Sequence, residues 1–410
     1  MSSRSAACEP RECIQCLYDG HHPFGLQFNE EGLCTGCSTH SEKFSLDWEQ
    51  RFSLLEKRIS AIKGKNKFYD CIIPIRGTPE YFYVVDVVKN RLGLNPLAVS
   101  YNSQFNSLLG IKNFARIKEV FDIDTVSFNT NPLVYRKLVR ESLVRFGHLR
   151  WPYLAGETAF AVRVAIEKEV PLIIWPLHQP TEQVGMHSYL DEPEMSKRSW
   201  IEHDLIQYDP SKLAEESETL IRAGDVYDIV YPENRLIAKG KIVGIYLSNY
   251  LPWDSRRFSE EMVRTRGALS AKNARTFDTY DRIDDLTYMG AHDLLKFANL
   301  GYSRVTDNLN REIRFGRIDK SSAKGIETFY QAQYEESYLT PFLEWVGMTP
   351  EAFSWFIKFS KFGMCDQNAS APLDAKQRSF IDSFISNHAP VFERQCFTLY
   401  GKGLAVGDEL

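Results

Sequence analysis

Cys13 and Cys16, then Cys34 and Cys37, form two CxxC pairs with 17 residues between them. No other feature constrains the folding of this chain as tightly. Each pair offers two sulfurs from one tight turn, and two such turns at this separation close a tetrahedral zinc site. A disulfide pair or free thiols would use the same residues. The metal reading is preferred because the N-terminal residues do not resemble a secretory leader, and it implies a cytoplasmic protein. Four thiolates leave no open coordination position, so the zinc is structural, not catalytic. Residues 1–42 are otherwise rich in Gly and His and poor in periodic apolar positions, so the metal stands in for a core there. His21, His22 and His40 lie close to the quartet, but four cysteines already suffice.

After this module the pattern changes. Residues 44–63 have amphipathic helical spacing. Short apolar runs at 68–75, 96–101, 125–128 and 171–175 then alternate with helical segments at 81–92, 108–121, 133–146 and 155–169. Brief strands separated by longer helices predict a doubly wound parallel sheet of the α/β class with right-handed crossovers. Ligands in such folds sit at the carboxyl ends of the strands, so the segments after Ile75, Tyr101 and Trp175 are the places to look for a site. A further strand is expected over 241–251. Beyond Trp253 the chain reads as almost wholly helical, near 255–267, 291–299, 320–336, 349–361 and 373–387. The expected organisation is a zinc module over 1–42, an α/β domain over 43–252 and a C-terminal helical domain over 253–410.

Composition narrows the function. The chain has 410 residues, with 49 basic and 54 acidic side chains and a net charge of −5, which argues against a partner bound mainly through phosphate contacts such as nucleic acid. No apolar run reaches the length needed to span a bilayer. Cys8, Cys71, Cys365 and Cys396 have no paired spacing and read as buried thiols.

The segment 68–102 gives a strand, a tight turn, a helix and a second strand, the usual phosphate-binding unit of doubly wound folds. It resembles the PP-loop ATP pyrophosphatases, and within them the N-acetyl sugar amidotransferases of surface-polysaccharide and lipopolysaccharide synthesis. The resemblance includes the four-cysteine module, L-N-P-L-A-V-S-Y-N (94–102), L-I-I-W (172–175) and H-x-x-x-E-Q-V-G-M (178–186). It continues through S-Y-L-D-E-P-E-M-S (188–196), E-H-D-L (202–205), G-I-Y-L-S-N-Y (244–250) and R-T-F-D-T-Y (275–280). Later matches are H-D-L-L-K-F (292–297), G-Y-x-R-V-T-D (301–307) and R-E-I-R-x-G-R (311–317). The resemblance implies a PP-loop fold in which ATP with magnesium activates a sugar acetamido oxygen as an adenylate. Ammonia then displaces AMP to give an acetamidino sugar. A nucleotide-linked amino sugar is the implied substrate. A separate glutaminase is the implied ammonia source.

Residue by residue, the resemblance places cofactor contacts at Arg76, Gly77, Thr78 and Glu80 and at the strand exit Ser100, Tyr101 and Asn102. It implies catalytic roles for His178, Glu182, Asp191 and Glu194. The turn itself departs from the family. Where relatives carry S-G-G-K-D-S, this chain reads Arg76-Gly77-Thr78-Pro79-Glu80-Tyr81. Thr78 adds a Cβ where backbone should approach phosphate. Pro79 removes a cation and an N–H donor, and Tyr81 replaces a small hydroxyl. Each charge-assisted hydrogen bond lost is worth about 1.5–3 kcal/mol, enough together to abolish useful ATP affinity. After the fourth strand, Pro176 and Leu177 stand where the family has Gly and an acid.

Two further groups have competing readings. Asp191, Glu194, Arg198 and Glu202 would share one face if 188–202 were a helix, either as surface ion pairs or as a carboxylate set for magnesium or ammonia. Arg311, Arg314 and Arg317 recur every three residues, as salt-bridge partners or as a grip on a nucleotide-sugar diphosphate; Trp253 and Asp254 would line the same cleft. A sulfur-transfer or tRNA-modifying activity would want a basic surface and a catalytic thiol; the net charge and the position of Cys71 inside a strand disfavour it.

Overall fold

The computed structural model describes residues 12–359 except 103, 217–220 and 334–335. At its centre lies a five-stranded sheet of order β3-β2-β1-β4-β5, every pairing parallel. The strands are β1 (Cys71–Pro74), β2 (Pro96–Asn102), β3 (Asp124–Asn129), β4 (Leu172–Trp175) and β5 (Val243–Tyr246). Cys71 pairs with Pro96, Leu97 with Asp124, and Leu172 with Val243. The expected doubly wound α/β sheet is therefore what the chain forms. β1 and β4 are buried along their whole length, which is why C-I-I-P and L-I-I-W are unbroken apolar runs and not alternating ones.

From β1 the chain winds outward through β2 and β3, then returns to build β4 and β5 on the other side. The order reverses between β1 and β4, and the crevice outside their carboxyl ends is the topological switch point.

Helices cover both faces. Against one, Ile72, Leu97, Val99 and Ile173 pack on helices Pro132–Phe146 and Trp151–Glu167. Against the other, Ile73, Ala98, Ile174 and Ile245 pack on helices Trp48–Ser60, Pro79–Asp86 and Leu108–Phe121. Local signals set these boundaries. Ser107 caps Leu108–Phe121 by accepting from Gly110 N at 2.9 Å, and Asp122 ends it in the left-handed region. Pro132 opens its helix and Gly147, at φ 59°, closes it.

The chain beyond Trp253 does not pack as a separate body. Trp253, Phe258 and Met262 belong to the second core, while Tyr288, Leu294, Leu295, Phe342 and Phe353 belong to the first. Helices Arg304–Arg314 and Lys320–Gln331 instead pack on one another and on Leu17 and Phe277, so the chain beyond Trp253 joins the two sheet cores only in part. The helix expected over 373–387, and Cys8, Cys365 and Cys396, lie outside the described residues. The strand expected over 241–251 is shorter: after Tyr246 the chain enters a 3₁₀ turn, Leu247–Asn249. There Ser248 N donates to Pro176 O at 3.0 Å and Asn249 Nδ2 to Pro193 O at 3.0 Å, contacts that an extended strand would not make. Among the described residues no helix is long and apolar enough to cross a membrane.

Candidate functional site

The four cysteines converge. Their sulfurs all lie within 4.8 Å of one another, with Cys13–Cys37 at 3.9 Å and Cys16–Cys34 at 3.6 Å, and all four residues are buried. One ion with four sulfurs at about 2.3 Å gives a tetrahedron with edges of about 3.8 Å. A four-iron cluster places its irons between the thiolates and holds them further apart, so the set fits a single tetrahedral ion. Backbone amides support the sulfurs: Cys16 N and Cys34 N point at Cys13 Sγ, and Cys37 N at Cys34 Sγ, each at 3.4 Å.

This module is a wall of the site. Tyr18 OH donates to Asp307 at 2.6 Å, Leu17 N to Asn310 at 2.8 Å, and Thr35 Oγ1 to Val184 O at 2.8 Å. Gly185, at φ 67°, has no room for a side chain, because a Cβ would stand 2.3 Å from Thr35 O. Arg314 is wedged beneath the second knuckle and donates to Glu182 O at 2.9 Å. Burial opposes its charge, but negative charge on the Cys37, Cys16 and Cys34 sulfurs outweighs that and holds its pKa up.

A cavity of about 880 Å³ opens at the switch point. Arg76, Thr78, Glu80 and Tyr81 border it from the turn after β1, and Trp175 to Gln179 from the segment after β4. The turn thus stands where the sequence places it, and its groups are engaged internally. Arg76 makes two hydrogen bonds to Glu157 of helix Trp151–Glu167, one at 2.7 Å, and lies 4.6 Å from the Tyr153 ring centroid. Glu80 accepts from Ser255 Oγ at 2.6 Å and Trp253 Nε1 at 3.0 Å, and desolvation raises its pKa. Thr78 occupies the helix N-cap without a side-chain cap bond, Pro79 follows, and Tyr81 is buried. Gly77 has a packing cause: a Cβ there would come within 2.1 Å of Gly110 O. Its own carbonyl accepts from Asn113 Nδ2 at 3.0 Å.

On the other side of the turn, Ser100, Tyr101 and Asn102 line a smaller cavity of about 270 Å³ with Arg76 and Gly77. Tyr101 OH donates to Asp228 at 3.1 Å, and Asn102 Nδ2 to Asn129 Oδ1 at 2.5 Å.

His178 borders the large cavity, buried, with Nδ1 at 2.9 Å from Thr181 Oγ1. Burial, then His187 and His203, push its pKa down to about 3, so the imidazole is neutral. Glu182 also borders the cavity, but it accepts from Lys43 Nζ at 2.7 Å and from Tyr189 OH at 2.7 Å. The Lys43 bond ties the helix after β4 to the end of the cysteine module's helix, and the Tyr189 bond ties it to the turn that follows.

Asp191 and Glu194 do not join them, and 188–202 is not one helix. Pro193 disfavours the helical region for Glu192, which sits at φ 47° instead. Asp191 caps the short turn Tyr189–Asp191 by accepting from Ser188 N at 2.9 Å; Glu194 is exposed and pairs with Arg58. Neither lines the cavity, whereas Glu202 does. The arginine trio also divides. Arg311 and Arg314 lie on helix Arg304–Arg314 and line the cavity. Gly316, at φ 70°, follows the helix end, and Arg317 turns away to pair with Asp254 and Glu312. Trp253 and Asp254 line the cavity, Asp254 as the N-cap of helix Ser255–Arg266.

Sequence reasoning missed Glu157, Asp281, Arg282 and Arg304. Glu157 was hidden in the apolar helix Trp151–Glu167. Arg304 lay within 301–307, whose resemblance was noted without assigning it a role, and Asp281 and Arg282 lay just beyond the stretch 275–280.

No family model matches the chain. An uncharacterized protein of Methanocaldococcus jannaschii is 19% identical over 134 residues, 33% of this chain and 47% of that protein, so the match spans about half of the relative's length. An NH3-dependent NAD synthetase from Campylobacter jejuni overlays with TM-score 0.27 and 11% identity, covering 48% of this chain and 93% of that one. A tRNA thiolase from Methanococcus maripaludis, solved with its 4Fe-4S cluster, overlays with TM-score 0.27 and 12% identity, covering 90% of this chain and 96% of that one. At these scores neither overlay bears on the chemistry of this chain.

Proposed function

We propose that this chain is a PP-loop homologue of the N-acetyl sugar amidotransferases that keeps the sugar cavity and has lost the conventional hold on ATP. It binds a nucleotide-linked amino sugar in the cytoplasm, for surface-glycan synthesis, and works with a partner subunit or with a different activated donor. One observation supports this above the others: the turn 76–81 borders the cavity at the switch point, yet Arg76 is bonded to Glu157 and Glu80 to Ser255 and Trp253. Pro79 supplies neither amide nor cation at the helix start. Arg76, the turn's one cation, is therefore not left to grip a triphosphate. The four cysteines are proposed to hold structural zinc, consistent with their fit to one tetrahedral ion.

A second reading has its own support. The turn keeps Gly77 and an acid at Glu80, in the right place beside the cavity. In that reading ATP with magnesium adenylates the acetamido oxygen and releases pyrophosphate, ammonia from a glutaminase attacks the acetamido carbon, and AMP leaves carrying that oxygen. A thermal melt separates the two. A ligand at 100 times its Kd adds about 2.7 kcal/mol of stability. The native chain should show no shift with ATP and magnesium, while a variant carrying Arg76→Ser, Thr78→Gly, Pro79→Lys and Tyr81→Ser should gain one. A shift in the native chain equal to the variant's supports ATP-dependent catalysis instead.

A further inference from the structure

Asp281 is shared by three guanidiniums. Arg304 Nε lies 3.2 Å from it, and Arg282 and Arg311 each 3.9 Å. Among the described residues no other carboxylate lies within 4.0 Å of any of the three guanidiniums; Asp278, Glu80 and Asp307 act on Arg311 from further off. All four residues line the large cavity. Arg304 is 5% exposed, and its Nη2, like Nη1 of Arg282, is buried with no hydrogen-bond partner. A desolvated guanidinium N–H without an acceptor is costly.

The backbone is committed to the same arrangement. Asp278 accepts from Tyr280 N at 2.7 Å and from Asp281 N at 2.9 Å. The turn this makes leads into Arg282 at φ 51°, where a side chain with a Cβ is strained. Burial, then the guanidiniums of Arg150 and Arg76, push the Arg282 pKa down to about 10. Like charges crowded beside a cavity, with donors unused, describe a receptor waiting for an anion.

We infer that Arg282, Arg304 and Arg311 form a subsite for the diphosphate of the nucleotide-linked sugar, with Asp281 holding the three guanidiniums apart. The donors select the class. Three guanidiniums sharing one carboxylate, two of them with buried N–H groups unbonded, offer hydrogen bonds to several oxygens at once, which suits a diphosphate better than a single carboxylate. This rests on the reading above that the cavity takes a nucleotide sugar. It moves the phosphate contact away from Arg317, which is already paired, and away from the turn at 76–81.

Calorimetric titration of the full chain tests this, with inorganic pyrophosphate, UDP-N-acetylglucosamine and acetate as probes. Pyrophosphate and the nucleotide sugar should bind, and acetate should not. Arg282→Asn, which tolerates the left-handed backbone, and Arg311→Gln on the more exposed arginine should each weaken binding about tenfold or more. Asp281→Asn, which removes the competing carboxylate, should tighten it. Circular dichroism confirms that each variant is folded; if Arg282→Asn is not, Arg311→Gln decides. Absence of binding to the native chain, binding unchanged by both arginine losses, or equal weakening by Asp281→Asn overturns the inference. Arginine-dependent binding of pyrophosphate without binding of the nucleotide sugar upholds the subsite and counts against the sugar reading instead.

Discussion

Glu157→Gln is the substitution through which the state of the turn can be weighed. Arg76 and Glu157 are 11% and 12% exposed at their side chains and share two hydrogen bonds. Tyr153 OH also donates to Glu157, at 3.2 Å. Removing one partner of a buried pair leaves the other charge desolvated, a loss of about 3–5 kcal/mol. An exposed pair would lose less than about 1 kcal/mol. The assay is urea unfolding of Glu157→Gln, Arg76→Gln and the double variant, read as midpoint and slope. The single variants should each lose several kcal/mol, and the double variant should lose clearly less than their sum. A Glu157→Gln loss below about 1 kcal/mol, with additive behaviour in the double variant, would mean that Arg76 is not held by Glu157. The turn would then have a free cation for phosphate, and the case against ATP would weaken.

Gly77→Ala should destabilise the chain by at least the 1–3 kcal/mol typical of overpacking, because the new Cβ meets backbone of Gly110 and not a flexible side chain; a melting temperature unchanged from native would refute the packing account. Metal analysis should return one zinc per chain without the visible absorption of an iron–sulfur cluster, and a chelator strong enough to strip it should lower the melting temperature. Tyr18→Phe, which removes the bond to Asp307 while leaving the ligands intact, should retain the zinc but loosen the module, seen as faster amide exchange around Cys13 and Cys16. His178 has a folded pKa near 3, below its unfolded value, so its contribution is full above about pH 6.5 and is lost as pH falls toward 3. Relative to His178→Gln, the native chain should lose about 1.4 kcal/mol per pH unit over that window; parallel pH profiles would show that the imidazole is not held neutral.

Much of the sheet was legible because its information is local. L-I-I-W and C-I-I-P have no partner problem to solve: a run buried on both faces reads as a strand wherever it pairs. Ser107, Pro132 and Gly147 mark helix ends within a few residues of themselves. The cysteine site was legible for the same reason, since spacing alone brings sulfurs together. The segment 188–202 was misread because charge spacing was given more weight than Pro193. The arginine trio divides between its two readings because Gly316 falls between Arg314 and Arg317. What stayed hidden was long-range: Arg76 meets Glu157 across 81 residues of sequence, and Arg282 meets Arg150 only once the chain beyond Trp253 packs on the sheet.

Calorimetric titration of the native chain with ATP and magnesium at neutral pH bears most directly on the whole account. With Arg76, Glu80 and Pro79 placed as they are, no saturable binding is predicted in the micromolar range. A micromolar Kd, abolished by Thr78→Trp at the turn, would contradict it.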